Sequence, residues 1–380
     1  MSSSPTESSS DPFDSAVNDA ARRFFSTRPE TRAADALGLT DVLVECATDG
    51  ERALHLAAVG IEAGSAQYTG SLAEDCLVAL SGVKLVGHPV ADYKVATLRT
   101  NRLPVTSPNS VIQSPGVTLQ AGAPLKLSGH LCSLPYLSDA KTLLLLTSDR
   151  DVPSLVQIDL RGAYRRADAE RALEPEYSQE LTANSHQHPL ALFTRMQLDG
   201  SDLSDVWFQK HPVQESEVLA RGESAERLVL KLSQFACLTT AARLVGCAFR
   251  ALSLTREHLT LREQFGRPLA SFQALQHSLA SLFVDIRVCR SFLAQLALSW
   301  DDEEDRRGML LNALKSKASQ VAMAAAKTAV QMHGATGYCD EHKVGSLLKH
   351  VMVLSARDGT SAEHRRAFSQ TNPPLFQISG

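Results

Sequence analysis

The stretch Arg262-Glu263-Gln264-Phe265-Gly266-Arg267-Pro268-Leu269 decides how the second half of this chain is interpreted. It follows residues 228–261, in which glycine occurs only at Gly246. A segment this long with so few breakers predicts a long helix, and such helices usually pack in a bundle. We expect Arg262 and Phe265, three residues apart, to share a face of that helix, which Pro268 then ends.

This pair of side chains has the chemistry that a dinucleotide requires. A guanidinium offers paired, planar donors and a permanent positive charge to a pyrophosphate. An aromatic ring one turn away can cover the face of an adenine. For an isolated motif, the alternative is an arginine in a surface ion pair and a phenylalanine in the core. The continuation Phe272-Gln273-Ala274-Leu275-Gln276-His277 favours the binding role, since an amide such as that of Gln273 can donate to and accept from a nucleotide. His277, one helical turn later, is expected to be a core histidine.

A second segment, Gln331-Met332-His333-Gly334-Ala335-Thr336-Gly337, follows an alanine-rich helical pattern over residues 318–329. Its two glycines allow the backbone to approach a ligand closely and to adopt a positive φ. Two glycines at this spacing are a weak motif on their own. Paired with the first segment, they become a specific signal.

Together the two segments resemble the C-terminal signature of the acyl-CoA dehydrogenase family. The resemblance implies an FAD that a neighbouring subunit holds mainly, with its adenine and pyrophosphate end bound by these segments. It is most evident over residues 225–370 and weaker over residues 116–150. The family usually has two adjacent glycines where this chain has Gly334-Ala335. The implied FAD contacts are Arg262, Phe265, Gln273, Gln331, Gly334 and Gly337.

The pattern along the chain predicts an α+β protein of the same domain order. The chain begins with apolar residues at helical spacing. Short runs broken by Pro, Gly, Asn and Asp follow, and then patterns typical of long helices. Residues 161–189 show no clear period. The predicted units are a disordered tail (1–12), an N-terminal helical domain (13–90), a central β domain (91–215) and a C-terminal four-helix bundle (216–370).

Composition narrows the classes of function and the compartment. A net charge of -4 and a pI near 6.3 give no electrostatic reason to expect nucleic-acid binding. Seven scattered cysteines without a CxxC pair indicate reduced thiols and a cytoplasmic protein. No apolar run approaches the roughly 18 residues that a membrane span needs. No metal site is expected, because His186 and His188 have no evident third ligand.

The resemblance fails where the family holds the flavin ring of its own subunit. A Thr-Glu-Pro…Gly-Ser-Asp stretch and a Trp-Ile-Thr stretch are typical of the family's β domain. This chain has Thr106-Ser107-Pro108-Asn109-Ser110-Val111 at the first place. At the second place it has Leu131-Cys132-Ser133-Leu134, after Lys126-Leu127-Ser128-Gly129-His130.

The catalytic base also departs from the family pattern. The reaction needs a carboxylate to remove the proton α to the thioester carbonyl. The family places a glutamate just before a Gly-Thr or on the long helix, whereas this chain has Asp358-Gly359-Thr360 at the first place. Ser253 and Leu254 stand two turns before Arg262, and Glu257 stands a turn too late. Asp358 is the candidate base, with a structural role at the turn as the alternative, and a base in a partner subunit is also compatible.

These observations predict a subunit of an FAD-dependent acyl-CoA dehydrogenase complex that desaturates a CoA thioester between its α and β carbons. The chain resembles the degenerate subunits of heteromeric enzymes that act on bulky thioesters such as steroid side chains. The implied partners are a second acyl-CoA dehydrogenase subunit in an α2β2 assembly, the acyl-CoA, and electron-transfer flavoprotein or a similar acceptor. The alternatives are a self-sufficient homotetrameric enzyme with Asp358 as base, and a non-catalytic binding or scaffold subunit.

Overall fold

The structure is a computed structural model, and the part of the chain that it describes excludes the termini and several internal segments. The described residues are 11–13, 16–27, 37–70, 72, 95–96, 117–120, 122, 124–135, 137–138, 140, 142–149, 152–167, 188–301, 304–339 and 342–371. The helices are α1 (Ala16–Ser26), α2 (Leu39–Glu45), α3 (Asp49–Ser65), α4 (Glu223–Leu261), α5 (Gln273–Leu298), α6 (Glu304–His333), α7 (Lys343–Ala356) and α8 (Ser361–Thr371). The strands are β1 (Val95–Ala96), β2 (Val117–Gln120), β3 (Leu125–Pro135), β4 (Thr142–Asp149), β5 (Val152–Asp159), β6 (Tyr164–Ala167), β7 (Leu190–Met196), β8 (Asp202–Val213), β9 (Val218–Arg221), β10 (Glu263–Gln264) and β11 (Arg267–Pro268).

The elements confirm the predicted α+β fold class: helices come first, then a sheet, then a helical bundle. In the bundle, α4, α5, α6 and α7 pack around one apolar core, and α8 lies against α6. The predicted tail over residues 1–12 lies outside the described residues except for Asp11 and Pro12, and residues 168–187 of the unassigned segment lie outside them too.

Two helix backbones touch where α3 crosses α4, and glycine makes that crossing possible. A Cβ added to Gly64 of α3 would lie 1.9 Å from the Arg243 carbonyl oxygen. A Cβ added to Gly246 of α4 would lie 2.0 Å from the carbonyl oxygen of Ile61. The single glycine inside the long helix is therefore required by the close approach of the N-terminal helices.

The β domain is one mixed sheet whose strand order, within the described residues, is β6-β7-β8-β3-β2-β4-β5-β9, with β1 paired to β4. Its longest pairing is the antiparallel ladder of β3 with β8, in which Leu131 lies opposite Val206. Both of these side chains are buried in the apolar core of the domain. The residues that alternate with them, among them His130 and Trp207, face the other side of the sheet.

Helix α4 is the central helix of the molecule. By length and mean hydropathy it passes the test for a membrane span, although polar residues interrupt each of its apolar runs. In the structure, however, 78% of its most apolar window is buried inside the protein. Its apolar face packs against α3, α5, α6 and α7, as expected for the core helix of a bundle.

Candidate functional site

The Arg262–Phe265 stretch is a hairpin, and the prediction that it continues the helix is wrong. Helix α4 ends at Leu261, and Arg262 adopts an extended conformation with φ -81° and ψ 121°. Strand β10 then pairs antiparallel with β11, and Gln264 lies opposite Arg267. The two residues of the loop, Phe265 and Gly266, have φ values of 57° and 73°. Positive φ at both loop positions is the geometry of the tightest hairpins, and it cannot occur inside a right-handed helix.

The hairpin holds its aromatic residue out of the protein. The Phe265 side chain is 89% exposed. Its ring centroid lies 6.1 Å from that of Phe272, in an edge-to-face arrangement, and the guanidinium carbon of Arg267 lies 4.0 Å above the Phe272 ring. The amide of Leu269 donates to the carbonyl oxygen of Arg262 over 2.8 Å, so the base of the hairpin is closed. The exposed ring therefore stands on an ordered turn.

The second segment begins where α6 ends at His333. Gly334 has a φ of 63° and starts a short 3-10 helix, Gly334–Tyr338. Gly337 is buried, and a Cβ there would lie 2.8 Å from the carbonyl oxygen of Val330. Both glycines are thus required by the backbone of this chain itself, whatever ligand lies beside them.

A stack of histidine rings joins the two segments. The rings of His258, on the last turn of α4, and His333 lie 4.2 Å apart, centroid to centroid, at an angle of 30°. The His342 ring lies 4.9 Å from that of His333, at an angle of 62°. Burial and the neighbouring histidines hold the pKa of His258 below its usual range, and burial does the same for the pKa of His333. The ends of α4 and α6 therefore lie side by side.

The predicted FAD contacts share this edge of the bundle. Gln273 is the first residue of α5, directly after Phe272, and Gln331 lies in the last turn of α6. Both glutamines are exposed, as is Arg262. His277 is exposed as well, so its expected place in the core is wrong. One face of α5 at this end points to solvent, which explains the exposure.

This edge fits the nucleotide end of an FAD by the chemistry of its groups. It offers an exposed guanidinium for an anion, an exposed ring for a base, and two exposed amides for polar edges. The two β-domain stretches that would hold a flavin ring in this chain itself offer fewer groups for binding. Thr106–Val111 lie outside the described residues, and Leu131 and Leu134 of β3 are buried in the β domain.

Asp358, the candidate base, lies in the turn between α7 and α8 with a φ of 53°. Its carboxylate Oδ2 accepts a hydrogen bond from the Thr240 hydroxyl of α4 over 2.6 Å. The residue is partly exposed, whereas Thr240 is buried. The carboxylate is therefore held against the central helix and keeps some access to solvent.

Two buried ionisable residues fix the backbone of this turn. The Nζ of Lys315, on α6, donates to the Gly359 carbonyl oxygen over 3.1 Å, and burial lowers the pKa of this amine. The Nε2 of His364 donates to the Asp358 carbonyl oxygen over 2.9 Å. Burial lowers the pKa of His364 to about 4. The Nδ1 of His364 lies 2.7 Å from Oδ1 of Asn312. Because a neutral ring that donates from Nε2 accepts at Nδ1, the Asn312 amide must be turned by 180° so that its N–H faces the ring.

A second buried cluster, which the sequence did not indicate, connects the β domain to the bundle. The Nδ1 of His350, on α7, lies 2.8 Å from Oδ2 of Asp199, in the turn before β8, and each side chain is 2% exposed. Burial opposes the charge of Asp199, but hydrogen bonds from His350 and Ser201 keep its pKa below the usual range. Burial lowers the pKa of His350 against the opposing effect of Asp199. The pair is thus a carboxylate that accepts the Nδ1–H of a neutral imidazole.

Comparison with known proteins agrees with this fold. Residues 228–371 match the family described as acyl-CoA dehydrogenase, C-terminal domain. The mitochondrial isovaleryl-CoA dehydrogenase of Oryza sativa subsp. japonica is 30% identical over 177 residues, which are 45% of this chain and 42% of that protein. The match therefore spans less than half the length of that curated relative.

Solved structures resemble nearly the whole chain. A variant of the Tcur3481–Tcur3483 steroid ACAD has a TM-score of 0.70 and 21% identity, and the match covers 93% of this chain and 96% of that one. The ChsE4–ChsE5 complex from Mycobacterium tuberculosis has a TM-score of 0.69 and 18% identity, over 95% of this chain and 98% of that one. At these identities the likeness establishes the fold, and the predicted resemblance is confirmed at that level.

Proposed function

We propose that this chain is a subunit of an FAD-dependent acyl-CoA dehydrogenase complex. The support is its acyl-CoA dehydrogenase fold and the match of residues 228–371 to that family's C-terminal domain. Its role there is to complete the FAD site of a partner subunit. The thioester is a bulky one, such as a steroid side chain. The solved structure of a steroid ACAD, which this chain resembles in fold, supports this choice of substrate.

The observation that carries the proposal is the meeting of the two segments at one exposed edge. The stack of His258 on His333 places the hairpin beside the end of α6. Phe265 is 89% exposed on a turn whose backbone disfavours any side chain. The chain's own core gains little from such a residue, whereas a nucleotide of another subunit would cover it.

In this proposal each residue of the edge has a separate role. Arg262 neutralises the pyrophosphate, and Phe265 covers the adenine. Gln273 and Gln331 bond the polar groups between, and Gly334 and Gly337 let the backbone come close. Bound FAD supplies the acceptor for the hydride that leaves Cβ of the thioester. The pKa values of His258 and His333 are lowered, so these two rings of the stack add no positive charge to the edge at neutral pH.

A second candidate is a self-sufficient enzyme in which Asp358 is the base. The position of Asp358 favours it: a partly exposed carboxylate lies on a fixed turn and is oriented by the Thr240 hydroxyl. Such a carboxylate could take the proton from the carbon α to the thioester carbonyl. Lys315 and His364 would then act as positioning residues, since both hold the turn through its backbone carbonyl groups.

The test is to purify the chain alone and together with a second acyl-CoA dehydrogenase subunit, and to measure flavin absorbance per protomer. We expect flavin only in the complex. In the complex, Arg262→Gln should weaken FAD binding about ten- to a hundredfold, because a hydrogen bond to a charged group contributes about 1.5–3 kcal/mol. The matched control is Arg256→Gln, which removes the same charge from an exposed site on α4, shortly before the hairpin.

Two outcomes contradict the proposal. The first is stoichiometric FAD with dehydrogenase activity in the chain alone. If Asp358→Asn then abolished that activity, the second candidate would be supported. The other outcome is an FAD affinity that falls equally in Arg262→Gln and Arg256→Gln, since this would show that the general charge of the surface matters and the hairpin does not.

A further inference from the structure

A group of metal-ligating side chains lies in the β domain, away from the edge described above. It consists of His130 and Cys132 on β3 and Asp205 on β8. One ligand atom from each residue lies within 4.8 Å of the others. The expectation that there is no metal site concerned His186 and His188, which have no evident third ligand. Asp205 is 73 positions from Cys132 along the chain, and only strand pairing brings the two together.

A β-bulge aims these residues at one another. Leu131 lies opposite Val206 and Leu134 lies opposite Ser204, so that two residues of β3 face the single residue Asp205. Such a bulge turns a side chain from its regular direction and is common next to functional sites. Because Leu131 and Val206 point into the apolar core, the residues that flank them point to the other face. Cys132 is exposed there.

The separation of the thiol and the imidazole matches that of two ligands on one ion. The Sγ of Cys132 lies 3.5 Å from the ring nitrogens of His130. In a tetrahedral zinc site, metal bonds of about 2.3 Å to sulfur and about 2.05 Å to nitrogen place the two ligand atoms roughly 3.5 Å apart. Because the sulfur is equally far from both nitrogens, a turn of one side chain about its own bonds would bring a ring lone pair onto the shared ion, and the strand itself would not have to move.

The neighbours of the group hold its ligands in orientation. The His130 ring stacks on Trp207 with a centroid separation of 3.7 Å and an angle of 18°. The Nη1 of Arg195, on β7, donates to Oδ2 of Asp205 over 2.7 Å. Metal sites commonly fix their carboxylate ligands with such an outer hydrogen bond.

We propose that His130, Cys132 and Asp205 bind a zinc-like divalent transition-metal ion. The three side chains supply nitrogen, sulfur and oxygen, which is a ligand set that zinc accepts. A tetrahedral ion would keep its fourth position open to water or a small ligand, since the thiol side of the group is exposed. On binding, the Cys132 thiol loses its proton to solvent and the metal–sulfur bond forms, so binding weakens as the pH falls.

Cobalt(II) is the probe that tests this site, because a thiolate bound to cobalt gives a charge-transfer band in the near ultraviolet. The full chain, reduced, free of any affinity tag and stripped with a chelator, is titrated with cobalt and then with zinc. We expect the band to saturate at one ion per protomer and to disappear as zinc displaces cobalt. Cys132→Ser should abolish it. Cys339→Ser, the matched control at another exposed cysteine, should leave it unchanged.

Two further measurements complete the test. Arg195→Gln should keep the band but lower the affinity for cobalt by about tenfold or more, because it removes the outer hydrogen bond to Asp205. In the unaltered protein, zinc should protect Cys132 but not Cys339 from alkylation, as read by peptide mass spectrometry. The proposal is overturned if no band forms, if the band survives Cys132→Ser, or if zinc protects neither cysteine. Any of these results would mean that the group is only a thiol–imidazole hydrogen bond beside an ion pair.

Discussion

The buried His364 predicts that acid destabilises this protein by an amount that can be worked out. Its pKa falls from an ordinary 6.5 to about 4 because the ring is buried, with the Lys315 charge as a second cause. The unfolded chain therefore takes up the proton more readily, and stability is lost as the pH falls below 6.5. Between pH 7.5 and pH 5 this one residue removes about 2 kcal/mol of the free energy of unfolding. Below pH 4 the loss levels off at about 3.4 kcal/mol.

The assay is urea unfolding at pH 7.5 and pH 5, followed by circular dichroism, for the unaltered chain and for His364→Gln. The substitution lowers the free energy of unfolding at both pH values. The further decrease from pH 7.5 to pH 5 should be smaller in the variant than in the unaltered chain by about 2 kcal/mol. His277→Gln, at an exposed histidine, is the control and should keep the full loss. If His364→Gln loses as much between the two pH values as the unaltered chain does, the assignment of a buried, neutral His364 is refuted.

Three further changes test other parts of the structure by the same urea assay. Gly64→Ala should destabilise the protein by about 1–3 kcal/mol because the new methyl group meets the backbone of α4, whereas Gly162→Ala, with open space around it, should not. Asp199→Asn should cost about 1.5–3 kcal/mol, since it replaces the carboxylate that accepts the His350 hydrogen bond, and an unchanged stability would contradict the pairing. Lys315→Met should cost about 1–3 kcal/mol by leaving buried carbonyl groups without a donor, and a gain in stability would show that burial of the amine outweighs its hydrogen bonds.

Much of the fold could be predicted because its helices are long and uninterrupted. Residues 228–261 predict α4 from the lack of breakers alone, and the structure extends it only to Glu223. The sequence pattern does not explain why a glycine, Gly246, lies inside the helix. That glycine is required by an approach of α3, an element about 180 positions earlier. Periodicity reports which face is apolar, but it does not report how closely a distant backbone will approach.

The hairpin shows where a local rule fails. Spacing of three residues puts Arg262 and Phe265 on one face only if the helix continues, and it ends one residue earlier. Glycine and proline, as at Gly266 and Pro268, are common in turns, but this turn also needs a positive φ at Phe265, where a bulky residue is disfavoured. Sequence rules therefore disfavour such a loop, although the predicted FAD contacts still lie on one edge of the bundle.

The groups around Asp358 could not be found from local sequence. The hydroxyl that holds its carboxylate belongs to Thr240, 118 positions away, and the amine that holds its turn belongs to Lys315. Neither residue stands in a motif, since a threonine and a lysine in a helix are usually surface residues. Only the packing of α6 and α7 against α4 brings them to one turn. The role of Asp358 as base therefore stays a prediction, while its restraint is an observation.

The conformation of Phe265 bears on which subunit the hairpin serves. A bulky residue with a φ of 57° costs about 1–2 kcal/mol relative to a regular conformation, and an exposed ring returns little of that by burial. Asparagine before Gly266 would form the same turn at lower cost. A fold that needed only the turn would gain by that change, which agrees with the proposal that the ring serves a bound nucleotide. Phe265→Asn separates the two roles. It should leave the unfolding midpoint of the isolated chain unchanged or higher, and it should weaken FAD retention in the complex. If the free energy of unfolding falls by about 1 kcal/mol or more and FAD retention is unaffected, the ring serves this chain alone, and the hairpin is no longer a reason to assign the FAD to a partner.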